Sequence, residues 1–223
     1  MSVGAASVGA ALLLALLATA GAAAQDRDPA GRGTESAGPL RALVDDPTSL
    51  AIGNPRGRDV VVEFLDYRCP YCRALAPDLR RLVAEDPEAR LIVKEWPIFG
   101  GISIYAARVA LASVWQGKFD AVHAALLDAR GSLDRDGVRQ AAESAGVDLA
   151  RLDRDLASRG AELDRLLHRV EAEAVTLRLK GTPGLVIGGR VIAGALSLDD
   201  LKSLIAQGRA APADETPGAG EAR

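Results

Sequence analysis

The chain has 223 residues, of which 48% are hydrophobic, and a formal net charge of −3 at pH 7. This balance provides no excess of Lys and Arg of the kind that binds nucleic acid or an anionic membrane surface. Only two cysteines are present, which excludes a framework of several disulfides. The length predicts one core, or one core with an inserted subdomain.

The N-terminal segment predicts export. Residues 3–24 have no charged side chain and end in Ala22-Ala23-Ala24, a small-x-small site that a signal peptidase accepts. No Lys or Arg precedes the apolar stretch, and the alternative is an uncleaved anchor, because about 20 apolar residues can span a bilayer. We expect a cleaved signal peptide over residues 1–24 and a periplasmic or secreted protein, with membrane anchoring as the less favoured outcome.

The elements that follow predict the start of an α/β fold. Residues 25–51 begin polar and Gly-rich, which predicts a flexible leader, with a short helix over residues 40–50. Residues 60–65 are β-branched and aromatic, as is typical of a central buried strand. Apolar side chains at helical spacing come next, and residues 90–95 predict a second strand. We assign residues 52–102 to the first part of the fold.

The second half of the chain changes character twice. Residues 103–179 show continuous helical periodicity, which predicts an all-helical insertion. Strand-like segments then flank Gly188-Gly189, a two-residue hairpin signal, and a last helix follows. Residues 180–207 therefore complete an α/β fold that the insertion interrupts. Residues 208–223 are rich in Ala, Pro, Gly and charge, which predicts a disordered tail.

Both cysteines lie in one Cys-x-x-Cys motif, Cys69-Pro70-Tyr71-Cys72, between the first strand and its helix. The helix dipole and the free N–H groups of its first turn favour an anion there, so we expect Cys69 to have a lowered pKa. Cys72 is expected to be more buried and to attack a mixed disulfide formed on Cys69. The alternatives are an inert structural disulfide and half of a zinc site, although zinc needs more ligands and both histidines lie far away in sequence.

With these features the chain resembles the DsbA family of thioredoxin-fold proteins. The resemblance rests on a strand followed by Cys-Pro-x-Cys, on a helical block before the hairpin, and on Gly181-Thr182-Pro183-Gly184, which is similar to the cis-proline loop of that family. It covers residues 60–207. The segment Lys94–Ile98 is most similar to the subgroup of suppressor-of-copper-sensitivity ScsC proteins and related secreted oxidoreductases. The resemblance implies a thioredoxin fold with an inserted all-helical subdomain.

The resemblance also implies roles for individual residues. Cys69 would be the nucleophile and Cys72 the resolving thiol. The dipeptide between them, Pro70-Tyr71, would adjust the stability of the dithiol relative to the disulfide. Pro183 would be cis and lie against the disulfide, while the backbone of Thr182 would pair with an extended substrate. The alternative for the proline is an ordinary trans residue that opens a strand.

One charged residue interrupts the first strand. Glu63 lies six residues before Cys69, where the family keeps a buried acid, and Lys94 at the end of the second strand is its expected partner. The carboxylate would disfavour a nearby thiolate and the lysine would offset this effect, so the pair would tune the pKa of Cys69 and shuttle protons. The alternative is a pair of exposed strand-end charges. His123 is predicted to be a packed helix residue without a functional role.

Together these features predict a thiol–disulfide oxidoreductase that acts on cysteines of exported proteins. Disulfide formation is the favoured direction, with a membrane or soluble redox partner that reoxidises the enzyme. The alternatives are a reductase or isomerase, and a binding module or chaperone whose disulfide is only structural. We expect no cofactor, no metal and no nucleic-acid partner. The leader lacks sustained heptads, which favours a monomer.

Overall fold

The computed structural model describes residues 42–44, 46 and 49–210. Five strands form one sheet: β1 (Leu50–Gly53), β2 (Asp59–Leu65), β3 (Ala89–Glu95), β4 (Gly184–Ile187) and β5 (Arg190–Ala193). Their order across the sheet is β1-β3-β2-β4-β5. β2 and β3 are parallel, whereas the other three neighbouring pairs are antiparallel.

The helices follow the predicted order. Helix α1 (Pro70–Glu85) connects β2 to β3, and the last helix, α7 (Leu198–Ala210), follows β5. Between β3 and β4 lie α2 (Gly101–Ser113), α3 (Phe119–Asp128), α4 (Arg135–Ser144), α5 (Leu149–Ser158) and α6 (Gly160–Thr176), with a 3-10 turn at Val114–Gln116. The α/β fold with an all-helical insertion is confirmed. Among the described residues, no helix has the length and apolar content needed to cross a membrane.

The two central strands send alternate side chains into two separate apolar layers, because side chains in a strand alternate between its faces. Val61 and Leu65 pack into the larger layer, which includes the cysteines and the apolar sides of α1 and α7. Ile92 packs into the smaller layer on the opposite face, with residues from the end of α6. Glu63 therefore lies on the side of the cysteines, and Lys94 lies on the other side.

The edge strand β1 was not predicted. It pairs antiparallel with β3, with Leu50 opposite Val93, so the end of the expected leader belongs to the sheet. Residues 42–44 are helical and fall within the short helix predicted for residues 40–50. The expected signal peptide, most of the leader and residues 211–223 of the expected tail lie outside the described residues. Residues 208–210 are helical and belong to α7, not to a disordered tail.

The hairpin that precedes α7 positions the loop before β4. Gly188 and Gly189 have φ values of +55° and +76°, the left-handed conformation that a tight two-residue hairpin turn requires. At the other end of β4, Gly184 pairs with Phe64 of β2. Because β4 begins directly after Pro183, this pairing holds the Thr182-Pro183 loop beside the carboxyl end of β2.

Candidate active site

Cys69 is the N-cap residue of α1, and Pro70 follows in the first turn. The Cys69 backbone is extended, with φ −71° and ψ 120°. Its N–H donates to the carbonyl of Asp66 at 2.9 Å, and its carbonyl accepts from the N–H of Arg73 at 3.1 Å. The structure thus places Cys69 at the junction of β2 and α1, as predicted.

The structure brings Cys69 and the Thr182-Pro183 loop together. The Thr182–Pro183 peptide bond is cis, as the resemblance implies. Cys69 Sγ donates a hydrogen bond to the Thr182 carbonyl oxygen at 3.1 Å. The loop that contains the cis-proline therefore lies directly against the Cys69 sulfur.

Both cysteines are free thiols, and they differ in environment more than in burial. Cys69 has 1% of its surface exposed and Cys72 has 0%, so the expected contrast in exposure is slight. Burial, followed by the negative charge of Glu63, raises the pKa of Cys72. Cys72 therefore holds its proton at neutral pH unless a nearby base removes it.

Glu63 is the ionisable group that acts most strongly on Cys72. The side chain is buried, and neither carboxyl oxygen has a hydrogen-bond partner among the described residues. Burial raises the pKa of Glu63 to about 8. At neutral pH this carboxyl group is therefore mainly protonated, and it can exchange a proton with its surroundings near pH 8.

The predicted pairing of Glu63 with Lys94 is wrong. Lys94 Nζ lies 3.3 Å from Asp46 Oδ2 and 3.1 Å from Glu173 Oε2, on the opposite face of the sheet. The cause is the register, which places Glu63 opposite Val93, so Lys94 is out of phase by one residue. The alternative of exposed strand-end charges is also wrong, because Glu63 and Lys94 are 1% and 2% exposed.

A cluster of three buried side chains that the sequence did not predict lies near Glu63 and consists of Tyr67, Glu95 and His123. The Tyr67 hydroxyl donates to Glu95 Oε1 at 2.7 Å and lies 3.0 Å from His123 Nδ1. A tyrosine hydroxyl has one proton, so His123 donates through Nδ1 while Tyr67 donates to Glu95. Burial, with the negative charges nearby, raises the pKa of Glu95, and burial lowers the pKa of His123 to about 4.

A signal for part of this group was present in the sequence. Glu95 follows Val93 by two residues and Tyr67 follows Leu65 by two, which is the spacing that continues one face of a strand. His123 has no such signal, since it comes from a helix of the insertion and meets Tyr67 only in the folded chain. Its predicted burial is confirmed, but it has a polar partner that was not expected.

Asp66 holds the loop before Cys69 against the loop after β3. Its Oδ1 accepts from the N–H of Arg68 at 2.8 Å. Its Oδ2 accepts from the N–H groups of Ile98 at 2.7 Å and Phe99 at 3.0 Å. Since Asp66 is buried, these bonds fix the backbone on both sides of the site.

Comparison with known proteins agrees with this geometry. A family model described as the DSBA-like thioredoxin domain matches residues 60–206. The chain belongs to this family. DsbA-like proteins are thiol–disulfide oxidoreductases, and Cys69 and Cys72 lie together as that activity requires. The expected family and enzyme class are therefore confirmed.

Two solved structures are similar over most of the chain. A thioredoxin-like oxidoreductase from Silicibacter pomeroyi DSS-3 is 38% identical, with a TM-score of 0.73, and the match covers 76% of this chain and 97% of that one. The catalytic domain of Proteus mirabilis ScsC is 28% identical, with a TM-score of 0.70, and the match covers 78% of this chain and 97% of that one. The chain thus has the same fold as these two solved proteins, one of which is the catalytic domain of an ScsC protein.

A curated relative is much longer than the matched region. The Na(+)/H(+) antiporter NhaA 3 of Salinispora tropica is 28% identical over 185 residues, which cover 79% of this chain and 28% of the antiporter. The chain therefore spans little more than a quarter of that relative's length. The transport activity in that name belongs to a protein whose greater part this chain does not match.

Proposed function

We propose that this DsbA-like protein forms disulfides in exported proteins, with Cys69 as the nucleophile and Cys72 as the resolving thiol. The observation that supports this proposal is the position of Cys69, which caps α1 and donates from Sγ to the carbonyl of Thr182 next to a cis-proline. The helix N-terminus favours the Cys69 thiolate as a leaving group. The backbone beside Cys69 belongs to a loop that can pair with an extended substrate.

The reaction proceeds in two exchanges. A substrate thiolate attacks Sγ of Cys69 in the Cys69–Cys72 disulfide, the S–S bond breaks, and Cys72 leaves as a thiolate that takes up a proton. A second substrate thiolate then attacks the substrate sulfur of the mixed disulfide, and Cys69 leaves as a thiolate. The substrate loses two electrons and gains a disulfide. The enzyme becomes a dithiol, which a partner protein with a disulfide of its own reoxidises.

Glu63 supplies the proton that Cys72 needs. When Cys72 leaves, its sulfur would be a buried anion, which is costly without a proton or a counter-charge. Glu63 is buried on the same side of the sheet, and its raised pKa of about 8 keeps it protonated at neutral pH. Proton transfer from Glu63 to Cys72 therefore moves the charge onto a group that titrates within reach of physiological pH.

Exposed apolar side chains near Cys69 support a polypeptide substrate. Tyr71, within the motif, is 66% exposed, and Ile98 and Phe99, held by Asp66, are 39% and 47% exposed. Exposed apolar side chains of this kind bind unfolded stretches of protein better than polar folded surfaces. This surface suits newly exported chains, in agreement with the expected signal peptide and a periplasmic location.

Trapping the intermediate tests the assignment of the two thiols. Cys72→Ser should form a stable mixed disulfide through Cys69 when it is mixed with a peptide whose single cysteine bears glutathione, since no resolving thiol remains. The matched variant Cys69→Ser should form no such mixed disulfide under the same conditions. Intact mass and non-reducing electrophoresis report the adduct. Equal trapping by both variants, or a Cys69→Ser protein with full oxidase activity, would overturn the proposal in favour of a structural disulfide.

A further inference from the structure

The three segments that meet around Cys69 have an uneven charge. They are the end of β2 with the first turn of α1, the loop after β3 and the loop before β4, at residues 66–73, 96–100 and 177–183. Their acidic side chain is Asp66, and their cations are Arg68, Arg73, Arg178 and Lys180. The whole chain has a formal net charge of −3, so the surroundings of Cys69 are positively charged in a protein that is slightly acidic.

Asp66 does not pair with these cations. Its side chain is buried, and its two oxygens accept hydrogen bonds from three backbone N–H groups. Arg68 and Arg73 donate only to backbone carbonyl oxygens. Within the part of the chain that the structure describes, no carboxylate forms a salt bridge with any of the four cations. The cations around Cys69 therefore have no direct counter-charge there.

Arg68 directly precedes the nucleophile in sequence. The Cα atoms of Arg68 and Cys69 are therefore about 3.8 Å apart. Arg68 is exposed, and its Nη1 donates to the carbonyl oxygen of Phe99 at 2.9 Å. This bond holds the guanidinium group at the edge of the exposed apolar surface formed by Tyr71, Ile98 and Phe99. Its other N–H groups have no partner among the described residues.

We propose that this surface selects polypeptides with an acidic residue beside the reacting cysteine, and that Arg68 contacts the carboxylate of that residue. The inference rests on the proposed reaction at Cys69 and adds the charge of the substrate. Neighbouring residues of an extended chain are about 3.8 Å apart, so a glutamate beside the substrate cysteine can reach the guanidinium while the cysteine meets Cys69. Because Arg68 is exposed, the attraction acts mainly on the rate of encounter and weakens with salt.

Capture of three peptides by the Cys72→Ser protein tests the inference. Each peptide has one cysteine in a disulfide with 2-mercaptoethanol, and the peptides differ only in the two residues beside it, which are Glu, Gln or Lys. The Cys69 thiolate attacks the peptide sulfur, a new S–S bond forms, and 2-mercaptoethanol leaves as a thiolate. Intact mass gives the rate of adduct formation. The rate of the same peptide with dithiothreitol corrects for its intrinsic reactivity.

We expect the order of capture to follow the charge of the peptide. At low ionic strength the Glu peptide should react about threefold faster than the Gln peptide, and the Lys peptide about threefold slower. In 1 M salt, where the Debye length is about 3 Å, the three rates should converge. Equal rates at low ionic strength overturn the inference and leave trapping at Cys69 intact. Absence of any adduct overturns the proposed function, and the inference with it.

Two charge reversals in the Cys72→Ser protein locate the selectivity. Arg68→Glu should reverse the order, so that the Lys peptide reacts fastest. Arg56→Glu changes the net charge by the same amount, but Arg56 is exposed and precedes β2, at the opposite end of the strand from Cys69, so the order should stay. Ratios between peptides cancel any change in the reactivity of Cys69 itself. Equal shifts in both variants would show that net charge, and not Arg68, determines the order.

Discussion

The carboxyl group of Glu63 has neither solvent nor, within the described residues, a hydrogen-bond partner. Burial raises its pKa from 4.5 to about 8. The unfolded chain has the ordinary value, so between these two values the folded protein binds more protons at this residue than the unfolded chain does. The contribution of Glu63 to stability is therefore fully present below pH 4.5 and is lost progressively as the pH rises to about 8.

Glu63→Gln removes this pH dependence, because glutamine does not ionise. We expect the free energy of unfolding of the variant, relative to that of the parent, to rise by about 1.4 kcal/mol per pH unit between pH 5 and pH 8. Urea unfolding of both reduced proteins at each pH measures the difference. Glu95 and His123 titrate in both proteins and largely cancel in the comparison. A difference that does not vary with pH would show that Glu63 ionises normally in the folded protein.

The Tyr67 hydroxyl is the hydrogen-bond partner of two buried side chains, Glu95 and His123. Tyr67→Phe removes the hydroxyl that bonds to Glu95 and His123 without changing the shape of the ring. We expect the free energy of unfolding to fall by about 2–3 kcal/mol, because both partners stay buried. Tyr71→Phe is the matched control, since its hydroxyl belongs to an exposed side chain and its effect should stay within about 0.5 kcal/mol. Equal losses in the two variants would contradict a stabilising role for the buried group.

At the scale of elements, Lys94 joins β3 to the insertion. Its ammonium group contacts Glu173 of α6 and Asp46, which lies before β1. These contacts are on the face of the sheet away from the cysteines. The lysine that sequence reasoning assigned to the active site therefore stabilises the packing of a helix against the sheet.

Lys94→Met tests whether Lys94 acts on the active-site cysteines or stabilises the packing of α6 against the sheet. Asp46 keeps its ion pair with Arg169 in the variant, whereas Glu173 loses the contact with Lys94. We therefore expect a loss of about 1–3 kcal/mol in the free energy of unfolding and an unchanged rate of exchange at Cys69. Lys202→Met is the control, because Lys202 pairs with Glu85 in an exposed position, and exposed pairs contribute about 0–1 kcal/mol. A large change in the reactivity of Cys69 with little loss of stability would restore the original hypothesis.

Local patterns explain which elements could be predicted. β2, β3, the hairpin and the helical insertion all follow from periodicity and from Gly188-Gly189, which are properties of neighbouring residues. β1 has only four residues, too few for a period to be recognised. The Glu63–Lys94 pairing failed for a different reason, because strand membership does not determine register, and a shift of one residue exchanges the two faces of the sheet.

The same distinction holds in the active site, where residues in short motifs could be predicted and residues that meet only through tertiary packing could not. Cys69, Cys72 and Pro183 belong to short motifs, and each lies where its motif predicts. His123 could not be assigned to the group around Tyr67, because it is 56 residues away in sequence and no local pattern connects the two. Residues that meet only through tertiary packing need the arrangement of the helices before their roles can be read.

At the scale of the whole molecule, the direction of electron flow depends on which redox form the fold stabilises. A strong oxidant is a protein whose reduced form is the more stable one. One contact favours the dithiol here, since the bond from Cys69 Sγ to the Thr182 carbonyl needs a thiol proton. A sulfur bound to Cys72 has no proton to donate, so the disulfide loses this bond.

We therefore expect the reduced protein to unfold at a higher urea concentration than the oxidised protein. Every 30 mV by which its potential exceeds that of the unfolded motif adds about 1.4 kcal/mol to this difference. Unfolding with and without dithiothreitol measures it, and equilibration with glutathione gives the potential independently. The double variant Cys69→Ser, Cys72→Ser controls for the reagent, because its midpoint should not move. If the oxidised form proves more stable, the protein is a reductant, and the proposed direction is wrong even where Cys72→Ser still traps substrate at Cys69.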